Sequence, residues 1–239
     1  MKIIANKNNL YNSTHFLNRL HSEDYINGAV FNVFMIKDGT IIIFNEVSSN
    51  NSNLTNLQAK TYAQIQAEDI MTLDDALFYI NGIQKKVILN LIPVVQSLPI
   101  HQAMEEYQRK NEIYIKSVND IIQKYPSLDI YVASISNKLI YHMKNHMKDR
   151  KLGLVVSPEN MGYEDLDFYI FTSILYDIKV CLEQSERKKE IMIYVSSSND
   201  LNTIYQSLQN NPLNSTQTEI LDEMYFITYY PELLFKLFK

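Results

Sequence analysis

The chain has 239 residues, of which 46% are hydrophobic and 21% charged, and carries a net charge of −5 from 22 basic and 27 acidic side chains. That composition excludes a disordered polyelectrolyte and the broadly basic surface of a nucleic-acid binder. A single cysteine, Cys181, excludes an internal disulfide framework and a thiolate-only zinc site, and no apolar stretch reaches the length needed to span a bilayer. In chain order, residues 2–5 (KIIA) predict a strand and 14–21 a helix with Thr14 as its N-cap. The runs 29–36 and 40–45 flank Lys37-Asp38-Gly39 and predict a hairpin over 29–45. The Asn/Ser-rich stretch 47–57 predicts a loop or small insertion.

Further along, Thr72 caps a helix over 72–80 with Asp74 and Asp75 in its first turn, where the helix dipole favours acids. KKVILNLIPV (85–94) predicts a buried strand, 102–124 a long helix, 129–134 a strand and 136–149 a helix of 3.6-residue period. Strands follow at 151–157, 166–172 and 190–197, with helices between them and one at about 199–209. A strand at 224–230 precedes a short helix opened by Pro231-Glu232. No linker and no internal repeat interrupts the series. Strands that alternate with helices predict a parallel sheet, and continuously apolar strands predict burial on both faces. About eight such units predict one α/β domain over 1–239, a (β/α)8 TIM-type barrel, with a doubly wound open sheet as the alternative. The start, Met1-Lys2-Ile3-Ile4, lacks the pattern of a signal peptide, so the expected setting is soluble and cytoplasmic.

The ordered landmarks resemble the glycerophosphodiester phosphodiesterases along nearly the whole chain. Asn6-Lys7-Asn8 stands where that family has His-Arg-Gly after the first strand, and Asn12-Ser13-Thr14 where it has Glu-Asn-Thr. Val30-Phe31-Asn32 replaces Glu-x-Asp, Lys37-Asp38-Gly39 matches the family turn, and Asn45-Glu46 replaces His-Asp. Met71-Thr72-Leu73-Asp74-Asp75 resembles Pro-Thr-Leu-Glu-Glu, and Asn90-Leu91-Ile92 replaces Glu-x-Lys. Tyr194-Val195-Ser196-Ser197 stands for Trp-Thr-Val-Asn, and Ile227-Thr228-Tyr229-Tyr230-Pro231 resembles Ile-Thr-Asp-x-Pro. The resemblance implies the barrel fold, with 46–70 as a short insertion.

The same resemblance implies a site at the barrel mouth in which the chemistry has been exchanged. The family holds calcium or magnesium on three carboxylates and moves protons with two histidines. The equivalent positions here are Val30, Asn32 and Asn90 for the ligands and Asn6 and Asn45 for the acid/base pair. Hard cations demand anionic oxygens, and an amide exchanges no proton usefully at neutral pH, so no metal cofactor is expected. Lys7 replaces the phosphate-clamping arginine, keeping charge without the bidentate fork, and Ile92 replaces the lysine. These readings predict a degenerate family member that binds a small polar or phosphate-containing ligand, or a protein partner, without hydrolysis. The asparagines either line a neutral pocket or satisfy one another in a retired site. The alternative is an active phosphodiesterase of lipid or cell-wall polyol phosphate metabolism working through an altered site, with Lys7, Glu46 and Tyr229 as the nearest candidates. A third reading is a regulatory subunit that uses its outer helices.

Other chemistry-bearing residues read as structural. His142 and His146 share a helix face but lack a third ligand. His15, His21 and His101 read as surface or packing residues, and Cys181 as a buried core thiol. Glu105-Glu106 and Asp74-Asp75 read as solvated helix faces, and 186–189 as a solvated turn. The aromatics around Tyr225, Phe226, Tyr229 and Tyr230 read as core and barrel rim.

Overall fold

The computed structural model describes residues 2–6, 13–44, 51–65, 70–94, 100–156, 166–171, 189–195 and 222–237, with isolated positions at 197, 200, 206 and 219. Its strands are β1 (Lys2–Asn6), β2 (Gly28–Met35), β3 (Ile41–Phe44), β4 (Met71–Thr72), β5 (Lys86–Leu91), β6 (Asp129–Ser134), β7 (Lys151–Val156), β8 (Phe168–Phe171), β9 (Glu190–Val195) and β10 (Tyr225–Thr228). The described helices are α1 (Ser13–Ser22), α2 (Asn51–Gln58), α3 (Tyr62–Ile65), α4 (Leu73–Ile80), α5 (Ile100–Gln123), α6 (Asn137–His146) and α7 (Pro231–Leu237). β1, β2, β5, β6, β7, β8, β9 and β10 pair in parallel, and the β1–β2 pairing closes the ring into a (β/α)8 barrel. None of the described helices is long and apolar enough to cross a membrane.

β2 is the longest strand, and it serves two partners along one edge. Gly28–Val30 pair with β1, whereas Asn32–Met35 pair antiparallel with β3. The strand therefore runs past the rim, and the hairpin predicted around Lys37-Asp38-Gly39 stands above the mouth. Gly39 sits at φ +83°, which the tight turn requires and only glycine adopts cheaply. β4, two residues that pair with β3, is an element the sequence reading did not contain.

Two readings change at the elements that follow. Residues 51–58 of the Asn-rich stretch form helix α2, because Leu57 packs with Phe34, Ile36, Ile42 and Ile65 under the hairpin, and that burial outweighs weak intrinsic propensity. Thr14 is exposed inside α1 rather than capping it. The predicted cap at Thr72 is present: its Oγ1 accepts from the Asp75 N–H at 3.1 Å. Ser136 caps α6 in the same way, accepting from Leu139. Asp74 does more than solvate a helix start. Its carboxylate accepts from Lys124 at 2.7 Å and from the Tyr125 hydroxyl at 2.8 Å, tying α4 to α5. Apart from the isolated positions 200 and 206, the helix at about 199–209 lies outside the described residues, as do the helices between the last strands, Cys181 and 186–188.

Strand alternation sorts the side chains into two cores. One parity faces the helices and builds the outer layer, where Tyr114 is fully buried and its hydroxyl donates to the Val33 carbonyl. The other parity fills the barrel with Ile4, Val30, Ile88, Phe168, Met192, Ile227 and their neighbours. Volume is matched across strands: Gly153 faces Phe168, and a Cβ at Gly153 would lie 2.4 Å from that ring. Around the outside, Arg19 on α1 forks onto Glu23, also reaches Tyr25, and pairs with Glu232 on α7, while Tyr25 stacks on Phe235 at 4.7 Å. This cluster clamps the last described helix onto the first.

The lower end of the barrel is closed by charge held between aromatic faces. The Lys86 ammonium lies 3.7 Å from the Tyr131 ring centre and 4.2 Å from that of Tyr225, and it pairs with Glu190. Lys151 donates to the Tyr131 hydroxyl, and Lys2 pairs with Glu223 at 2.6 Å. Burial pushes the Lys86 pKa down and the Glu190 hydrogen bond opposes it. Lys2, Lys86, Tyr131, Glu190, Glu223 and Tyr225 line a cavity of about 350 Å³ at the strand N-termini, the face of such barrels that serves stability.

Two outcomes are expected. Gly153→Ala overpacks the interior and should cost about 1–3 kcal/mol in urea unfolding, with much of it recovered when Phe168→Leu is added. Glu23 is held below the ordinary carboxylate range, first by the Arg19 hydrogen bond. The stability it supplies is present above its unfolded pKa of about 4.3 and lost as pH falls through the lower folded value. Glu23→Gln should therefore flatten the fall in stability between about pH 5 and pH 3, read as melting temperature against pH.

Candidate functional site

At the opposite end of the barrel the inward parity continues for one more residue on several strands. On β1, β2 and β5 that residue is Asn6, Asn32 or Asn90, and on β9 it is Tyr194. Tyr229 follows the end of β10. Together these five polar side chains line a cleft of about 400 Å³, with Val30, Ile92, Ile135, Val155, Ile170 and Ile227 as its apolar wall. This is the C-terminal face of the strands, where barrels of this kind place their ligand sites.

The amides are arranged in two groups. Asn32 and Asn90 are direct register partners on β2 and β5, and the Asn90 Nδ2 donates to the Asn32 Oδ1 at 2.8 Å. Asn32 is 6% exposed. The Asn90 Oδ1 is buried and has no hydrogen-bond partner. On the other side, the Asn6 Nδ2 donates to the Tyr194 hydroxyl at 2.8 Å, and Tyr194 packs edge-on to Tyr229 with ring centres 5.8 Å apart. Burial, and then Tyr229 beside it, drive the Tyr194 pKa far above the phenol range, so it stays protonated at any physiological pH.

Of the residues predicted for the mouth, Asn6, Val30, Asn32, Asn90 and Tyr229 converge on this cleft. Lys7, Asn45 and Glu46 lie outside the described residues. The sequence reading did not assign Tyr194, Ile135, Val155, Ile170 or Ile227 to the site. The signal was strand parity: Val155, Ile170 and Ile227 belong to the interior set, Tyr194 shares the parity of Met192, and Ile135, just past β6, that of Ala133. The described histidine side chains belong to the outer helices. His21 contacts the Tyr79 carbonyl at 3.0 Å, and His146 lies 3.6 Å from Glu112. Among the described residues no three His, Cys, Asp or Glu side chains group as a metal site.

The described lining of the cleft thus offers amide and phenol dipoles on a hydrocarbon wall, without a carboxylate, ammonium or imidazole. Such a site can donate and accept hydrogen bonds and can exclude water from one side of a ligand. Its described groups supply neither the full charge that grips a hard cation nor a proton acceptor poised near neutrality.

By sequence alone, the chain matches no protein-family model and no curated protein. Its fold matches solved structures end to end. A phosphodiesterase from Oleispira antarctica, solved in complex with the product sn-glycerol-3-phosphate, superposes with a TM-score of 0.65 at 14% identity, over 100% of this chain and 96% of that one. A Galdieria sulphuraria protein assigned to the glycerophosphodiester phosphodiesterases gives 0.73 at 15% identity, over 100% and 98%. A glycerophosphodiester phosphodiesterase from Parabacteroides distasonis gives 0.66 at 11% identity, over 99% and 95%. The fold, including the strand order that builds the mouth, is the one these phosphodiesterases share.

Proposed function

We propose that this chain is a degenerate relative of the glycerophosphodiester phosphodiesterases, whose barrel mouth holds a small polar ligand and does not carry out metal-dependent hydrolysis. The observation that carries the reading is the Asn32–Asn90 contact of 2.8 Å, with Val30 beside it in the cleft. The resemblance puts the three metal-binding carboxylates of the family at these positions. Two amides and a valine keep the shape of that corner and remove its charge, so a divalent cation loses its anionic ligands. Asn6, at one of the family's histidine positions, hydrogen-bonds Tyr194, and neither group accepts a proton near neutral pH.

The same reading takes residues 1–239 as one cytoplasmic barrel domain with 46–70 as an insertion, working without a metal cofactor. The Oleispira antarctica neighbour, in complex with sn-glycerol-3-phosphate, supports a small ligand for this chain as well, held in the cleft at the strand C-termini. Lys7 and Glu46, at the family's clamp and acidic positions, and Tyr229 remain the groups through which a hydrolytic alternative would work.

The purified protein should release no glycerol-3-phosphate from a panel of glycerophosphodiesters with calcium, magnesium or chelator present. Turnover that the chelator abolishes overturns the proposal. The residue correspondence has its own test. The triple change Val30→Glu, Asn32→Asp and Asn90→Glu should create a cation site, seen as a calcium-dependent rise in melting temperature that the parent chain lacks. A cooperatively folding triple variant that ignores calcium would show that these positions do not form the family's ligand corner.

A further inference from the structure

Beside the amide pair, three polar side chains of the mouth support one another in series, and the series ends on Tyr229. Asn6 closes β1, is 5% exposed, and donates through Nδ2 to the Tyr194 hydroxyl at 2.8 Å. That hydroxyl is also hydrogen-bonded to Tyr229, and the two rings meet edge to face at 86°. A phenol oxygen has one proton and two lone pairs, so Tyr194 can serve Asn6 and Tyr229 at once. Both ends of the Tyr194 ring's freedom are thereby taken up, by an amide behind it and by a second ring in front.

The backbone under Tyr229 is fixed as well. Ile227 and Thr228 end β10 in register with Tyr194 and Val195 of β9. Thr228 is fully buried, and its Oγ1 accepts from the Tyr230 N–H at 3.0 Å. The Tyr230 carbonyl in turn accepts from Leu233 and Leu234 at the start of α7. Tyr229 is therefore held from both sides along the chain and by Tyr194 across it, yet it stays half-buried and lines the cleft of about 400 Å³. The order of strands round the barrel puts β10 across from β6, so Tyr229 and the exposed Ile135 stand on opposite rims. A tyrosine pinned in this way has already lost in folding the rotamer freedom that a loose one would lose on binding. On the reading above that the mouth holds a ligand, we infer that Tyr229 is the residue that hydrogen-bonds an oxygen of that ligand, and that Tyr194, held by Asn6, is the positioning residue that aims it.

Calorimetric titration of the whole chain with sn-glycerol 3-phosphate, the product in the Oleispira antarctica complex, tests this. Tyr229→Phe, which removes one oxygen and keeps the ring, should weaken binding about tenfold. Tyr194→Phe should weaken it about threefold, and the double change should be no weaker than Tyr229→Phe alone, because Tyr194 acts only through Tyr229. Each variant keeps its ring packed against its neighbour, and a cooperative melt close to the parent's checks the fold. Running the Tyr229→Phe comparison with glycerol and with inorganic phosphate assigns the oxygen to a hydroxyl or to the phosphate, by which titration keeps the loss. A Tyr194→Phe effect that adds in full to that of Tyr229→Phe would overturn the positioning role. Affinity unchanged by Tyr229→Phe would overturn the inference and leave the ligand-holding mouth standing. Failure of the parent chain to bind sn-glycerol 3-phosphate would overturn the inference together with the reading on which it rests.

Discussion

The pairing of β2 with β5, in register from Gly28↔Lys86 to Val33↔Leu91, is the constraint on which both ends of the molecule depend. At its lower end Gly28 is forced by contact: a Cβ there would lie 2.4 Å from the Lys86 carbonyl oxygen. Two residues on, Val30 and Ile88 meet in the middle of the barrel, and two further on Asn32 meets Asn90 at the mouth. Because the period along a strand is two, a slip of one residue would turn this whole ladder outward and send Phe31 and Leu89 into the barrel. The register that packs the interior is therefore also the register that joins the two amides.

The two ends treat polarity in opposite ways. At the base, charges are compensated within the protein: Lys86 has Glu190 and two aromatic faces, and Lys2 has Glu223. Cations between ring faces retain electrostatic stabilisation when partly stripped of water, and the result is a charged plug that holds the strand N-termini together. At the mouth the described groups are neutral, yet one amide atom is left without a partner.

Much of this architecture was legible from residue patterns, for reasons that differ by element. Short apolar runs such as 129–134 mark strands buried on both faces, and their alternation with helices implies parallel order. Lys37-Asp38-Gly39 and Thr72 act locally, through a glycine with positive φ and a capping hydroxyl, so they read correctly without tertiary information. The Asn-rich segment failed because its helix depends on Leu57 reaching Phe34 and Ile42, a contact between distant parts of the chain. Asp74 looked solvated because its partners, Lys124 and Tyr125, lie some fifty residues away. At the mouth, the asparagines stood out through the family pattern. Tyr194 and the rest of the wall beyond Val30 and Ile92 were not assigned to the site, since they are ordinary strand and strand-end residues until closure of the barrel brings their faces together.

The amide pair also explains how a corner of this shape can hold together without an ion. Two carboxylates in direct contact across adjoining strands repel, and they persist only by sharing a proton or a cation. Two asparagines at the same separation complement each other, one N–H on one oxygen, and the 2.8 Å contact between Asn90 and Asn32 needs nothing further to form. Such a mouth is organised before any ligand arrives, so the ordering cost is met during folding rather than on binding.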